Sequence, residues 1–144
     1  MSIQKVNHNV FRPWTGTDGS LATAGAGVLD ADLKRSEWLD TNGWTDKSIA
    51  WEVDSDGTID FDVNMWVSSQ GYYELNAKVA DGTISTDDYV AVPIVNAHTT
   101  AVYTRKDSDD IDELQHPIRS MCIEINNDQA EVVTGCQVWV EGWS

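Results

Sequence analysis

Apolar and polar residues alternate along most of the chain after residue 48. Ile49, Trp51 and Val53 fall on one face of a predicted strand, and an Asp-Ser-Asp-Gly turn signal follows at 54–57. The clearest alternation spans residues 59–67, where every second residue is apolar and those between are mostly polar. This period of two predicts strands that bury one face and expose the other.

Three further segments carry strand signals. Apolar residues alternate over 73–79, and the runs 89–95 and 99–104 are rich in residues that favour strands. Pro93 cannot donate a ladder hydrogen bond, so we expect an edge strand or a bulge around it. An acidic loop is expected at 107–113.

The last part of the chain predicts a hairpin. An incoming strand at 119–125 and an outgoing strand at 130–140 flank a loop at 126–129. In that register Ile123 faces Val132, so both apolar sets point to the same side. Cys136 then points inward and Cys122 outward. We therefore expect two reduced thiols, because a disulfide needs neighbouring Cβ atoms.

The N-terminal part has no sustained period. Residues 14–28 hold four glycines among small residues and predict irregular chain. The segment 30–40 predicts one short helix, with an aspartate cap before it and Gly43 past its end. We therefore divide the chain into an N-terminal arm, 1–48, and an acidic β-domain, 49–144.

These patterns predict an all-β fold. Several short strands at this spacing favour an antiparallel β-sandwich or a jelly-roll-like barrel, with an irregular N-terminal arm and one short helix. The predicted core consists of the inward-facing apolar residues, which are Ile59, Phe61, Val63, Met65, Leu75, Val79, Ile123, Ile125, Val132, Val138 and Val140.

The charge narrows the range of partners. The 144 residues include 9 lysines and arginines against 24 aspartates and glutamates, a net charge of −15. Six acidic and five basic residues lie in 1–48, so the β-domain carries nearly all of the negative charge. Nucleic acid is not expected as a partner, since phosphate binding needs clustered lysine and arginine. Without a long apolar run or a secretory leader, we expect no membrane contact and synthesis in the cytoplasm.

Residues 52–60 look like part of a calcium-binding EF-hand loop, because acidic residues alternate and a glycine follows them. Two features argue against calcium. Val63 stands where the loop needs a bidentate glutamate, and strand-like segments flank the loop instead of helices. We expect an acidic turn, with no metal held by Asp54, Asp56 or Asp60 and no cofactor.

Motifs for catalysis are missing from the sequence. Neither Gly-x-Ser-x-Gly nor Gly-x-x-x-x-Gly-Lys occurs, and His8, His98 and His116 have only generic surroundings. Paired carboxylates can hydrolyse glycosides, but among 24 acidic residues a pair has no meaning without geometry. We predict no catalytic residue and no enzymatic activity.

Tryptophan is unusually frequent, with seven in 144 residues. Trp66 and Trp139 fall on the polar faces of their predicted strands. Three roles are open for them: burial under another part of their own domain, an interface with another copy or a partner, or stacking on a sugar ring.

The strand-like run Val132–Trp143, together with the irregular arm and the acidic sandwich, resembles small virion proteins of tailed bacteriophages, of the head-decoration or tail-accessory kind. The resemblance is one of overall style over 49–144 and carries no functional residue with it. It implies a non-enzymatic structural protein of the virion, synthesised in the host cytoplasm. We expect this protein to dock on a larger assembly through its N-terminal segment, because that segment is nearly neutral and its glycine-rich part cannot form a core of its own.

The implied partners are further copies of the chain, with a trimer as the expected oligomer, and a capsid or tail protein. The expected interface consists of the large apolar residues of the arm and the two outward tryptophans, which are Phe11, Trp14, Leu21, Val28, Trp66 and Trp139. The alternative is a carbohydrate-binding β-sandwich module that uses exposed tryptophans. Burial of Trp66 and Trp139 between subunits favours the first interpretation, and a position in an open groove favours the second.

Overall fold

The computed structural model describes residues 6–14, 33–55, 61–98, 103–107, 110–115, 118–127 and 133–143. The strands are β1 (Val6–Trp14), β2 (Leu33–Arg35), β3 (Leu39–Asp40), β4 (Asp46–Ser55), β5 (Phe61–Ser68), β6 (Val90–His98), β7 (Thr104–Asp107), β8 (Ser120–Asn127) and β9 (Val133–Trp143). The helices are α1 (Tyr72–Asp81) and a 3-10 turn at Asp112–Gln115.

The strands form two antiparallel sheets. Sheet A has the order β1-β9-β4-β7, and sheet B has the order β2-β8-β5-β6, with β3 also paired to β8. The strand that contains Pro93, β6, lies at the edge of sheet B, and its register with β5 shifts between Val63 and Asn64. The edge position predicted from Pro93 is therefore confirmed.

Successive strands change sheets at almost every connection. The chain runs from β1 in sheet A to β2 and β3 in sheet B, returns to β4, crosses to the neighbours β5 and β6, and then alternates through β7, β8 and β9. Two antiparallel sheets exchanged in this order form a double-sheet jelly roll. The predicted antiparallel all-β sandwich is confirmed, and the two sheets stay separate in the part of the chain that the structure describes.

The main core lies between the two sheets. Six predicted core residues are fully buried there and are confirmed: Val63, Met65, Ile123, Ile125, Val138 and Val140. Trp51 and Ile49 of β4 are buried with them. Ile59 and Val132 lie outside the described residues, and only the backbone of Phe61 is described.

Helix α1 covers the outer face of sheet B. Leu75 is fully buried and packs in a second apolar cluster with Trp38, Trp66 and Cys122. The helix ends before Gly82, whose φ of 69° is left-handed, and the N–H of Gly82 donates to the carbonyl of Val79. This is the usual glycine stop of a helix.

The predicted strand over 73–79 is therefore wrong. A period of two placed Leu75 and Val79 on one buried face, but Val79 is 47% exposed on the helix and is not a core residue. Glu74, Leu75 and Lys78 are good helix formers, and Asp81-Gly82 is the end of a helix instead of a strand turn.

The predicted hairpin of the last two strands is also wrong. β8 pairs with β5 in sheet B, whereas β9 pairs with β1 and β4 in sheet A. The alternation did identify the inward residues, since Ile123 and Val138 both line the core. Inward faces meet across the core of a sandwich as readily as they lie side by side in one sheet, so the pattern does not fix the pairing.

Much of the N-terminal segment is part of the sheets. The predicted helix over 30–40 is wrong for its described residues, because β2 and β3 pair with β8 at the edge of sheet B. So short a helix needs tertiary packing, and here the open edge of β8 pairs the backbone instead. The dividing point proposed between residues 48 and 49 falls inside β4, and the glycine-rich part, 15–32, lies outside the described residues.

Candidate interaction surface

The outer face of sheet A carries exposed apolar side chains. Val10 on β1 is 43% exposed, and Tyr103, just before β7, is 56% exposed. Trp139 on the central strand β9 is half-buried between them. Helix α1 lies on the other sheet, so it does not cover these residues. We call this outer surface of β1, β9, β4 and β7 the open face.

The strand registers align an apolar row across the open face. Val10 and Ala50 both lie opposite Trp139, on its two sides, and Ala50 lies opposite Arg105 on β7. The ring centroids of Tyr103 and Trp139 are 5.9 Å apart with an interplanar angle of 58°, a tilted aromatic pair. The centre of the open face is therefore a short stripe of valine, tryptophan and tyrosine.

Charged residues of both signs flank this stripe. Arg105 donates to Asp107 at 2.8 Å and to Glu141 at 3.4 Å, and His8 Nδ1 lies 3.3 Å from the other oxygen of Glu141. The hydrogen bond that Arg105 donates to Asp107 is the main reason that the pKa of Arg105 is raised. Exposed ion pairs of this kind contribute little to stability, so they act chiefly as a polar border for the stripe.

Trp66 lies in a different environment, under helix α1. Its ring stacks on Tyr89 with centroids 3.9 Å apart, and the Cζ atom of Arg35 lies 3.6 Å from the centroid of Trp66. Arg35 also donates to Glu124 at 2.7 Å. Trp66 is only 9% exposed, so its large apolar surface is used within its own chain.

Both thiols are buried and unbridged. Cys136 lies in the main core, and Cys122 lies in the cluster under α1, on the outer face of sheet B. The predicted faces of the two cysteines are therefore confirmed. Burial raises the pKa of Cys122 to about 12 and raises that of Cys136 as well. Neither thiol is suited to act as a nucleophile at neutral pH, because the reactive form is the thiolate.

One end of the sandwich is closed by Trp44, which the sequence pattern did not identify. Its indole lies flat against Gly142 of β9, and a Cβ atom at Gly142 would collide with ring atoms Cε3 and Cδ2 of Trp44. Lys47 is 1% exposed beside it and donates from Nζ to the carbonyl of Trp44 at 3.3 Å. A glycine inside a predicted strand was the available signal, since it often marks a close approach.

The other predicted interface residues have varied positions. Phe11 on β1 is half-buried against the main core, so it is largely occupied by its own domain. The backbone of Trp14 pairs with Cys136, and its side chain is not described. Leu21 and Val28 lie outside the described residues. Of the six, Trp139 is the one that the structure places on the open face.

The clefts elsewhere on the described surface include two large ones. One has a volume of about 490 Å³ and lies at the end of the sandwich near Val67, Val90 and Arg119. The other, of about 380 Å³, lies between β1 and the segment 37–40 and is lined mainly by polar groups such as Glu37 and Asp40. The described lining of the first cleft includes no histidine, whereas the second is lined by His8 together with Glu37, Asp40 and Tyr72.

Most of the side chains considered as metal ligands or catalytic groups lie outside the described part of the structure. Asp54 is exposed on β4, whereas Asp56 and Asp60 are not described, and no group of three or more histidine, cysteine or acidic residues that could hold a metal occurs among the described residues. The side chains of His98 and His116 are not described. No helix within the described ranges has the length and apolar character needed to cross a membrane.

No protein-family model matches this sequence, and no curated protein sequence matches it. Among solved structures, the chain is similar to a crystal structure of the infectious bursal disease virus VP2 subviral particle, with a TM-score of 0.45 and 14% identity over 96% of this chain and 32% of that one. It is also similar to Desmodium yellow mottle tymovirus (TM-score 0.32, 11% identity, 100% of this chain and 90% of that one). A third structure is the empty head of turnip yellow mosaic virus (TM-score 0.36, 11% identity, 99% and 80%).

The chain spans about one third of the length of the bursal disease virus chains that it matches. At these TM-scores the jelly-roll assignment rests on the strand order of the two sheets, which holds without any comparison.

Proposed function

We propose that this chain is a non-enzymatic structural protein of a virion, which associates with copies of itself and docks on a larger protein shell. The observation that carries the proposal is the open face, where Val10, Tyr103 and Trp139 form an apolar centre bordered by Arg105 and Glu141. An apolar centre with a polar border is the usual composition of a protein–protein interface.

The charge distribution favours the same surface. Most of the molecule is acidic, so two copies repel each other in most orientations. The open face carries Arg12 and Arg105 beside Glu52 and Glu141, and the mixture lets one copy offer an arginine to the carboxylate of another. A surface that complements itself in this way suits a closed, symmetric oligomer.

The N-terminal segment takes part through β1. This strand is the edge of sheet A and supplies His8 and Val10 to the open face. Docking through the N-terminal segment and docking through the open face are therefore one proposal. The bacteriophage setting, the decoration or tail-accessory role and the trimer come from the sequence resemblance and remain predictions.

Carbohydrate binding remains the second candidate, and the Tyr103–Trp139 pair is the observation in its favour. Two tilted aromatic rings on an exposed sheet face can stack on a sugar. Trp66, the other tryptophan of that interpretation, has its ring covered by Tyr89 and Arg35, which leaves one exposed aromatic pair.

The test is the mass of the purified protein by light scattering, in the wild type and in a double variant, Val10→Ser with Tyr103→Ser. The wild type is expected at a small multiple of 16.0 kDa, and the variant at a lower mass. Tyr73→Ser is the matched control, because Tyr73 is 81% exposed on α1, away from the open face. Surface substitutions are preferable to deletion of the arm, since deletion of residues 1–28 would remove β1 from sheet A.

A monomeric wild type, or an equal loss of mass in Tyr73→Ser, would contradict the proposal. Under the carbohydrate alternative the wild type is monomeric and Trp139→Ala abolishes its binding in a glycan array. The two candidates therefore predict opposite results for the same protein.

A further inference from the structure

The larger cleft, of about 490 Å³, lies at the end of sheet B. Its apolar wall consists of Val67 at the end of β5, Val90 at the start of β6 and Ile118. Ser69 and Arg119 provide polar groups at its border. Its size lies in the range of roughly 300–1,000 Å³ that is usual for binding sites, and its mostly apolar lining is also typical of them.

Hydrogen bonds from neighbouring elements hold the walls of the cleft in place. Thr41 Oγ1 donates to the carbonyl of Ile118 at 2.6 Å, and the Thr41 N–H donates to the carbonyl of Arg119 at 3.1 Å. Ser120 Oγ donates to the carbonyl of Gln70 at 2.7 Å. Because the buried Thr41 and Ser120 make these bonds, the cleft exists before any partner arrives.

Arg119 carries a charge that its surroundings do not balance. No carboxylate among the described residues lies within 4.0 Å of its guanidinium, whereas Arg35 pairs with Glu124 and Arg105 with Asp107. The guanidinium lies beside Gly71 at the start of α1, where a Cβ atom would be 3.5 Å from Nη2 of Arg119. Arg119 is exposed at the border of the apolar wall, so its guanidinium is accessible to a carboxylate that a partner brings to the cleft.

The shape of the cleft favours a chain segment over a small molecule. Several of its lining residues are exposed, and Val90 is 63% exposed. Sites for small molecules usually bury most of their ligand, which this open trough cannot do. A segment of a folded partner does not need to be enclosed in this way, because the partner's own domain holds the segment on both sides of the contact.

We propose that this cleft binds a segment of a partner protein in which a carboxylate stands next to aliphatic side chains. The aliphatic side chains cover Val67, Val90 and Ile118, and the carboxylate accepts hydrogen bonds from Arg119. A guanidinium matches the planar carboxylate with two parallel N–H donors, so a single arginine suffices for this anion. This site lies on the end of sheet B and is independent of self-association through the open face.

The test uses the full-length ¹⁵N-labelled protein and the peptide acetyl-Gly-Leu-Glu-Val-Gly-amide as the probe. Amide signals of Gly43, Ser69 and Val90 are expected to shift and saturate, with a dissociation constant of about a millimolar. The same peptide with glutamine in place of glutamate should bind at least about fivefold more weakly, because the charged acceptor is lost.

Two variants separate the specific contact from the general charge. Arg119→Gln should weaken binding of the glutamate peptide at least about fivefold while the rest of the spectrum is unchanged. Lys106→Gln is the matched control, since Lys106 on β7 also has no ion pair among the described residues but lies in sheet A. It should bind as tightly as the wild type.

Three results would overturn the proposal. The first is the absence of saturable shifts at the cleft, and the second is an equal weakening by Arg119→Gln and Lys106→Gln. The third is a shift of the same amides when the protein alone is concentrated, which would assign the cleft to a second copy instead of a separate partner. None of these results depends on the mass measured for the open face.

Discussion

Trp66 on sheet B and Trp139 on sheet A occupy the same kind of position, an outward residue of a central strand. Trp66 is covered by helix α1, Tyr89 and Arg35 and is 9% exposed. Trp139 is half-buried on the open face, with Tyr103 as its aromatic neighbour. The difference lies in what the connections between strands place over each sheet.

The connection between β5 and β6 determines which sheet is covered. These neighbouring strands of sheet B are joined through α1, and Leu75 of α1 packs on the outer face of that sheet with Trp66 and Cys122. Trp66 lies under this helix and contributes to the fold, whereas Trp139 is half-buried on the sheet that α1 does not cover.

The largest expected effect separates the two tryptophans. Trp66→Ala should lower the free energy of unfolding by about 3–5 kcal/mol, because it empties a buried site under α1. Trp139→Ala should lower it by about 1–2 kcal/mol, since that ring is only half-buried. Urea denaturation of both variants measures the difference. Equal losses would show that the open face is as well packed as the covered one.

The two faces of β9 provide a second pair. Gly142→Ala should cost about 2–3 kcal/mol, because the new methyl group collides with the buried ring of Trp44. Gly135→Ala, on the outer side of the same strand, places its Cβ 3.3 Å from the side chain of the exposed Asp54 and should change stability by less than about 0.5 kcal/mol. If Gly142→Ala lowers the melting temperature no more than Gly135→Ala does, Trp44 does not close this end of the sandwich.

Lys47 is a buried basic residue on the inner side of sheet A. Burial lowers the pKa of Lys47 from 10.5 to about 8. Below pH 8 the lysine is charged in both the folded and the unfolded state, so the folded state bears the full cost of the buried charge. As the pH rises from 8 towards 10.5, the folded state loses its proton first and the free energy of unfolding increases.

Lys47→Met should therefore raise the free energy of unfolding at pH 7 by about 1–3 kcal/mol, and its advantage should shrink between pH 8 and pH 10. Urea titrations at several pH values measure this. A variant that is less stable at pH 7 would mean that the bond from Lys47 to the carbonyl of Trp44 outweighs the burial of its charge.

The sequence pattern predicted which face of each strand is buried, but it did not predict which strands pair with one another. Alternation placed Val63, Ile123 and Val138 in the core, and it placed Cys122 and Cys136 on opposite faces. It could not tell that β8 and β9 belong to different sheets, because pairing depends on contacts between distant parts of the chain. The sequence also did not distinguish the helix over 72–81 from a strand. A single buried leucine fits the helical period as well as the strand period, and Asp81-Gly82 fits a strand turn as well as the end of a helix.

The candidate surfaces were only partly predictable. The polar strand face of Trp139 was visible in the sequence, but its partner Tyr103 comes from another strand region, and the register of β9, β4 and β7 brings them together. Trp66 had the same sequence signal, and its coverage followed from α1. The contact of Trp44 with Gly142 joins residues nearly 100 positions apart, so no local pattern reveals it.

The smallest expected effect compares the arginines of the two faces. Arg35 stacks over Trp66 and pairs with Glu124, which is 8% exposed, whereas Arg105 pairs with Asp107 and Glu141 in the open. Arg35→Lys keeps the charge but loses the planar stacking on the indole and should cost about 0.5–1 kcal/mol. Arg105→Lys should cost less than about 0.5 kcal/mol, because solvent screens both of its ion pairs. Replicate urea titrations at low salt resolve the pair, and a larger loss for Arg105→Lys would mean that the network on the open face supports the fold instead of only bordering an interface.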